Sequence, residues 1–327
     1  MRIPSNRAAP LLAALILPAL VAACGDDNGS TDADTAAPKA SEFPSPDGRS
    51  IDDLTADYPV DDNLVIAPSQ MVYTTDSDRF GFGVFTVDQS QVDDAEVALY
   101  AAPGSGGSVR GPYPARAESL ATDAAFTAET TSQDPSAAKA VYIADVDLDQ
   151  PGEWRVLALV RGDDGEFASA TLAGPVVVRR DDPIPDAGDR APVIHTPTAD
   201  EVGNIEQIDT RIPPDTMHDV DFADVIGKQP IVLVMATPAL CQTRVCGPVV
   251  DIAEQVKNER PDDAAYIHME IWNDNNIQQG ARPQVLDYHL RTEPWLFVID
   301  ADGRVSTRIE GAFSAAELNQ AVDRVAG

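Results

Sequence analysis

The chain has 327 residues, of which 43% are hydrophobic and 24% are charged, and its formal net charge is −31 at pH 7. A surface this acidic repels phosphate backbones, which argues against a nucleic-acid partner. The length allows two ordinary domains that each bury a core. Only three cysteines are present, at positions 24, 241 and 246.

The N-terminus has the pattern of an export signal. Arg2 and Arg7 precede an uncharged apolar stretch, residues 8–23, which is too short to cross a bilayer and ends at Val21-Ala22-Ala23-Cys24. This ending resembles the lipobox of bacterial lipoproteins. The resemblance implies a signal peptide over residues 1–23, lipid (palmitate) on Cys24, and a location on the outer face of the cell membrane. The alternative is an ordinary secretory signal with a chance cysteine.

A polar segment follows the signal. Residues 24–48 are mainly Gly, Asp, Ser, Thr, Ala and Pro, so we expect a disordered tether. No later apolar run is long enough to span a membrane.

Residues 49–180 contain short β-strands separated by turn residues, and no convincing helix. Strands are predicted at residues 64–67, 71–74, 80–87, 96–101, 140–146, 154–160 and 168–178. Seven such strands, together with the run Pro151-Gly152-Glu153-Trp154, resemble immunoglobulin-like and fibronectin-like modules. We therefore expect an all-β immunoglobulin-like sandwich that acts as a spacer or binding module.

The pattern changes after a proline-rich segment, residues 181–214, which is predicted to be an interdomain linker. Residues 215–327 alternate strands with helices, as in an α/β layer structure. Strands are predicted at 230–236, 264–272, 295–299 and 305–309, a short helix at 283–289, and longer helices around Val249–Val256 and after Ser314.

The order of these elements resembles the thioredoxin fold over residues 215–326. Cys241 directly follows the first strand, and Pro248 falls where thioredoxins have a helix proline. The sequence Thr292-Glu293-Pro294-Trp295 opens a strand, as does the cis-proline loop of that family. The resemblance implies that Pro294 is cis and lies near the cysteines. It also implies thiol-disulfide exchange with the thiols or disulfides of envelope proteins, without a cofactor.

The cysteine motif has four intervening residues, whereas thioredoxins have two. In an unbroken helix the Cα atoms of residues i and i+5 are about 8.6 Å apart, whereas a disulfide needs about 4.4 to 6.8 Å. Cys241 and Cys246 therefore bond only if Cys241 lies before the helix or if the first turn unwinds.

The roles of the two cysteines are predicted from their position at the N-terminus of the helix that follows the first strand. The helix dipole favours a thiolate there. We expect Cys241 to attack, with Arg244 as a nearby cation, and Cys246 to resolve. Met235 stands where thioredoxins often have a buried Asp, and Glu270 is a candidate substitute. The alternatives are a structural disulfide, and a Glu270–His268 pair that is buried without a catalytic task.

Two related families suggest other chemistry for the same cysteines. Q-class peroxiredoxins share the four-residue spacing, but they have Thr or Ser where this chain has Pro238. Sco-type copper proteins combine two thiolates with a later histidine. By that resemblance Cys241, Cys246 and His289 are alternative copper ligands, since two thiolates with imidazole suit copper.

Overall fold

The structure is a computed structural model that describes residues 36–104, 106–162, 164–241 and 243–327. The predicted signal peptide and Cys24 lie outside the described residues. The described residues belong to a single compact unit, Asp32–Gly327. No helix among them is long and apolar enough to cross a membrane.

The N-terminal half is mostly β-structure, with two short helices. The helices are α1 (Ile51–Asp57) and α2 (Glu129–Ser132). The strands are β1 (Leu64–Pro68), β2 (Tyr73–Thr74), β3 (Arg79–Thr86), β4 (Gln91–Val92), β5 (Glu96–Pro103), β6 (Arg110–Ser119), β7 (Ala140–Asp145), β8 (Gly152–Arg161), β9 (Phe167–Thr171) and β10 (Val176–Arg179).

These ten strands form one hydrogen-bonded sheet, so the predicted sandwich of two separate sheets is not confirmed. The order is β1-β3-β7-β6-β5-β8-β10-β2, with β4 on β3 and β9 on β8. The long strand β6 is the reason: its first part pairs with β5 and its last residues pair with β7. Hydrogen bonding therefore continues where a sandwich would have a gap.

Helix α1 covers the outer face of this sheet. Ser50 caps the helix by accepting a hydrogen bond from the amide of Asp53, and Leu54 packs into a core with Leu157 and Leu159 of β8. Phe43 belongs to the same core and is 6% exposed. The packed part of the chain therefore begins before residue 49, within the segment predicted to be a tether.

The C-terminal half follows the predicted alternation. Its helices are α3 (Ala199–Val202), α4 (Phe222–Val225), α5 (Cys246–Glu259), α6 (Pro283–Asp287) and α7 (Ala315–Asp323). Its strands are β11 (Ile231–Met235), β12 (Ala265–Met269), β13 (Trp295–Ile299) and β14 (Val305–Glu310). The sheet order is β12-β11-β13-β14. Strand β12 is parallel to β11, whereas β13 is antiparallel to both β11 and β14. The succession of strand, cysteine loop, helix, strand, helix, strand, hairpin and helix agrees with the thioredoxin-like prediction.

Both faces of this sheet are buried, which explains the continuous apolar run of β11. Val232 and Val234 face α5 and α7. Ile231, Leu233 and Met235 lie in a second core, on the opposite face. That second core also contains buried residues of the proline-rich segment, namely Ile184, Ala191 and Ile194. The segment predicted to be a linker thus packs against the sheet over part of its length.

Candidate redox site

Cys241 and Cys246 form a disulfide, and the helix geometry of the chain permits it. Their Cα atoms are 5.9 Å apart, which lies within the range for a disulfide. Helix α5 begins at Cys246, and Cys241 lies in the loop before it. Of the two arrangements that the spacing allows, the structure therefore has the one in which Cys241 precedes the helix.

The start of α5 is set by the residues around Cys246. Arg244 has a positive φ of 66°, so the chain reverses just before the helix. Pro248 is the third residue of α5, where a missing N–H costs no hydrogen bond within the helix. The proline therefore fits the first turn and does not break the helix.

The two sulfurs differ in exposure and in position. Cys246 is fully buried, whereas Cys241 is half-buried. Helix α5 begins at Cys246, and Sγ of Cys241 is bonded to Sγ of that residue, so both sulfurs lie at the start of the helix. Burial favours Cys241 as the residue that a partner reaches. The dipole also favours the thiolate that Cys246 becomes when the disulfide opens.

A proline loop lies beside the cysteine loop. The Glu293–Pro294 peptide bond is cis, as predicted. The hydroxyl of Thr243 donates a hydrogen bond to the carbonyl oxygen of Glu293 (3.3 Å) and lies 3.1 Å from Sγ of Cys241. Thr243 thus connects the two loops at the disulfide. The sequence analysis did not single out Thr243, because its role depends on a loop fifty residues away.

Arg244, which was predicted to be a cation near the sulfurs, makes its contacts with the N-terminal half. Its guanidinium donates hydrogen bonds to the backbone and side-chain oxygens of Gln89. It also lies 5.5 Å from the ring centroid of Phe85, which is within the range of a cation–π contact. Arg244 therefore holds the cysteine loop against the β3–β4 hairpin.

Two buried carboxyl groups lie near the site, and one of them was not predicted. Met235, which stands where thioredoxins often have a buried Asp, is fully buried. Glu270 is 1% exposed and accepts hydrogen bonds from the amide and hydroxyl of Thr210, at 2.7 and 2.8 Å. Burial raises the pKa of Glu270. Burial, with the nearby Glu270 carboxylate, raises the pKa of Glu293 to about 7. Glu293 directly precedes the cis proline and is therefore the carboxyl group next to the disulfide loop.

Replacing Glu293 by glutamine is expected to change the pH dependence of stability. The folded-state pKa of about 7 lies above the ordinary value of 4.5, so the wild type loses stability as pH rises from 4.5 through 7. The full shift corresponds to roughly 3 kcal/mol, and partial exposure reduces this to about 2 kcal/mol. Urea unfolding at pH 4 to 8 measures the free energy of unfolding. As the pH rises over this range, the value for Glu293→Gln should increase by about 2 kcal/mol relative to that of the wild type. Glu153→Gln, at an exposed position, is the control, and a pH-independent difference for Glu293→Gln would contradict the expectation.

An apolar cleft of about 530 Å³ opens beside the cysteine and proline loops. Its walls come from both halves of the chain. Those from the N-terminal half include Val65, Ala67, Pro68, Met71, Phe82, Phe85 and Val87, and those from the C-terminal half include Thr243, Arg244, Val245, Thr292, Glu293 and Ala312. Met71 is 72% exposed and Val87 is 60% exposed. Exposed apolar side chains around a cleft are typical of a surface that binds a partner.

The arrangement gives little support to the copper and peroxide alternatives. His289 is exposed. Among the described residues, one group of His, Cys, Asp and Glu side chains brings its ligand atoms close enough for a metal ion, and it contains neither His289 nor the cysteines. Pro238 stands where Q-class peroxiredoxins have Thr or Ser, and the hydroxyl of the adjacent Thr237 is buried and accepts a hydrogen bond from the amide of Ile271. Glu270 and His268 are both buried, but the hydrogen bonds of His268 go to Asp215 and the carbonyl of Ala236 and not to Glu270.

Comparisons with known proteins identify no family for the chain. No family model matches it, and no curated protein matches it. Among solved structures it is similar to a proposed thiol:disulfide interchange protein, DsbE, from Chlorobium tepidum, with 17% identity and a TM-score of 0.30. That similarity covers 44% of this chain and 99% of the other. A likeness this low assigns no activity, so function has to be inferred from the residues of this chain.

Proposed function

We propose that the protein catalyses thiol-disulfide exchange outside the cytoplasm, through the Cys241–Cys246 couple. The observation that carries the proposal is the position of the half-buried Cys241. This residue is joined to a buried Cys246 at a helix N-terminus, beside the cis-proline loop and an open apolar cleft. A purely structural disulfide needs neither an accessible sulfur nor a cleft next to it.

The reaction balances with one partner dithiol. A partner thiolate attacks Sγ of Cys241, the Cys241–Cys246 bond breaks, and Cys246 leaves as a thiolate in the first turn of α5. The second partner thiol then attacks the mixed disulfide and releases Cys241. The partner is thereby oxidised by two electrons and the couple is reduced. The reverse sequence reduces a partner disulfide. With a pKa near 7, Glu293 is suited to exchange protons with the thiols at neutral pH.

The partner is held by the cleft more than by the backbone of the proline loop. The carbonyl of Glu293 already accepts a hydrogen bond from Thr243, and that of Pro294 accepts one from the amide of Gly311. The strand pairing that cis-proline loops offer to extended peptides is therefore less open here. An apolar segment next to the partner's cysteine would instead fill the cleft.

The test is redox equilibration of the full-length chain with glutathione buffers of graded composition, read by thiol alkylation and mass spectrometry. We expect partial reduction of the couple within the buffer range, and catalysis of exchange in a dithiol peptide. The control is the double variant Cys241→Ser/Cys246→Ser, which should be inactive. A structural disulfide has a potential below about −300 mV and stays oxidised in these buffers. That result, with no catalysis, would refute the proposal.

The location is a separate proposal, supported only by the sequence around Cys24. We propose that the mature chain begins at Cys24 and is tethered to the membrane by lipid on that residue. Cys24→Ser should leave the precursor uncleaved or release soluble protein. A variant that still fractionates with membranes at the wild-type mass would rule out the lipid attachment.

A further inference from the structure

A cluster of two histidines and two aspartates lies in the C-terminal half, and the redox reaction does not use it. Asp209, Asp215 and His218 belong to the segment before α4, and His268 belongs to β12. All four side chains are at least nine-tenths buried. One ligand atom from each lies within 4.8 Å of the other three.

His218 is the member of this cluster that hydrogen bonding does not explain. It is 3% exposed, and neither of its ring nitrogens has a hydrogen-bond partner. Burying an imidazole without partners is costly. Its Nε2 atom lies 3.5 Å from Oδ2 of Asp209 and 3.4 Å from Oδ1 of Asp215. These distances are longer than those of ordinary hydrogen bonds.

The same distances suit two ligands of one metal ion. Zinc binds histidine nitrogen and carboxylate oxygen at about 2.0 to 2.2 Å in tetrahedral geometry, which places neighbouring ligand atoms about 3.3 to 3.6 Å apart. The separations from His218 to both carboxylates fall in this range. An ion between the three side chains would therefore give His218 the partner it lacks.

His268 is oriented as a metal-binding histidine is. Its Nε2 atom donates to the carbonyl oxygen of Ala236 at 3.1 Å, so Nδ1 is the nitrogen that faces the cluster. Metal-binding histidines commonly fix their second ring nitrogen in this way. In the structure Nδ1 is 2.7 Å from Oδ2 of Asp215 and 3.9 Å from Oδ1 of Asp209. The contact with Asp215 has to open for Nδ1 to bind an ion, and its proton leaves as the ion enters.

Backbone amides hold the two carboxylates in place. Asp209 accepts hydrogen bonds from the amides of Arg211 (2.8 Å) and Asp215 (2.7 Å), and Asp215 accepts one from the amide of Met217 (2.8 Å). No Lys or Arg side chain among the described residues forms an ion pair with either carboxylate. The Arg211 guanidinium bonds Asp251 instead. Backbone amides therefore fix both carboxylates, and among the described residues the only side chains that form ion pairs with them are the imidazoles of His218 and His268.

We propose that Asp209, Asp215, His218 and His268 bind one divalent transition-metal ion of the zinc type. Two imidazoles and two carboxylates form a tetrahedral set, whereas calcium and magnesium prefer sites made of oxygen alone. All four ligands are buried, so the site is closed and its role is structural. It fastens the segment before α4 to the central sheet, where the amide of His268 already bonds the carbonyl of Met217 at 2.9 Å.

Cobalt is the probe for this site, because tetrahedral Co²⁺ has a strong visible spectrum. The protein is the full-length chain with Cys24→Ser, purified without a histidine tag, with the Cys241–Cys246 disulfide intact, so that no thiol can bind metal. After treatment with a chelator, titration should show one Co²⁺ per chain with a tetrahedral spectrum that Zn²⁺ abolishes. An absence of binding, or a spectrum of octahedral type only, would refute the proposal.

Substitutions test whether Asp209, Asp215, His218 and His268 are the ligands. His218→Leu should weaken Co²⁺ binding by more than about 100-fold, while His289→Leu, at an exposed position, should bind as wild type does. Because His218 has no hydrogen bonds to lose, His218→Leu should be at least as stable as wild type in chelator. With Zn²⁺ the order of the melting temperatures should reverse. If His218→Leu does not fold, Asp209→Asn replaces it. A wild-type melting temperature that Zn²⁺ leaves unchanged, or binding that survives both substitutions, would overturn the assignment.

Discussion

Replacing Cys246 by serine is expected to trap the protein as a mixed disulfide on Cys241. Cys241 is only half-buried and can still exchange with a disulfide probe such as oxidised glutathione, but no buried thiol remains to resolve the product. Cys241→Ser should react with the same probe on the order of 100-fold more slowly, since Cys246 is fully buried. Intact-mass spectrometry over time, followed by peptide mapping, measures both rates and the modified residue.

The matched control for this experiment is Thr243→Val. It keeps both cysteines and removes only the hydroxyl that joins the cysteine loop to the carbonyl of Glu293. This variant should accumulate no adduct, because Cys246 still resolves it. Equal adduct formation on the two single-cysteine variants would show that burial does not distinguish the sulfurs. Faster reaction at Cys246 would reverse their roles.

The second large effect concerns stability, at the buried ion pair of Arg211 and Asp251. Their exposed fractions are 5% and 1%, and Nε of Arg211 lies 2.8 Å from Oδ1 of Asp251. Arg211 also donates to the carbonyls of Pro213 and Phe126. Arg211→Met leaves a buried carboxylate without a cation, so we expect a loss of about 3 to 5 kcal/mol in the free energy of unfolding. Urea denaturation at pH 7 measures it.

Two further variants distinguish the stability lost by breaking this buried ion pair from the stability lost by removing any arginine. Arg155→Met removes the exposed ion pair with Asp52 and should leave the stability nearly unchanged. The double variant Arg211→Met/Asp251→Leu should recover much of the loss, because no uncompensated charge remains buried. A double variant as unstable as Arg211→Met would mean that the carbonyl contacts of Arg211, and not its charge, matter most.

Elements with strong local signals were predictable from the sequence. The apolar run of β11 gave that strand to within one residue at each end. The helical spacing of Val249 to Val256 located α5, which extends beyond it to Cys246 and Glu259. Strand β6 was missed because it contains Pro112 and Pro114, and proline usually argues against a strand. The immunoglobulin-like sandwich is not confirmed for the same reason, since the missed strand β6 pairs with both β5 and β7.

The candidate site was predictable where a motif is local and not where it depends on folding. The cysteine pair and the cis bond before Pro294 were predictable because the residues next to them in sequence form recognisable motifs. Thr243 and Glu293 acquire their roles only when two loops fifty residues apart come together. Asp209 lies in the segment predicted to be a linker and Asp215 directly follows that segment. Sequence composition does not reveal that both side chains are buried, and their burial next to two histidines is what makes them candidates.

The cleft beside the disulfide has walls from both halves of the chain. A fragment that begins at residue 215 would retain both cysteines and Pro294, but it would lose the wall formed by residues 65–91. Under the proposed function, that wall would contact the partner while the disulfide and the start of its helix carry out the exchange. Substitutions in the β-rich half would then change which partner binds without changing the sequence that performs the electron transfer.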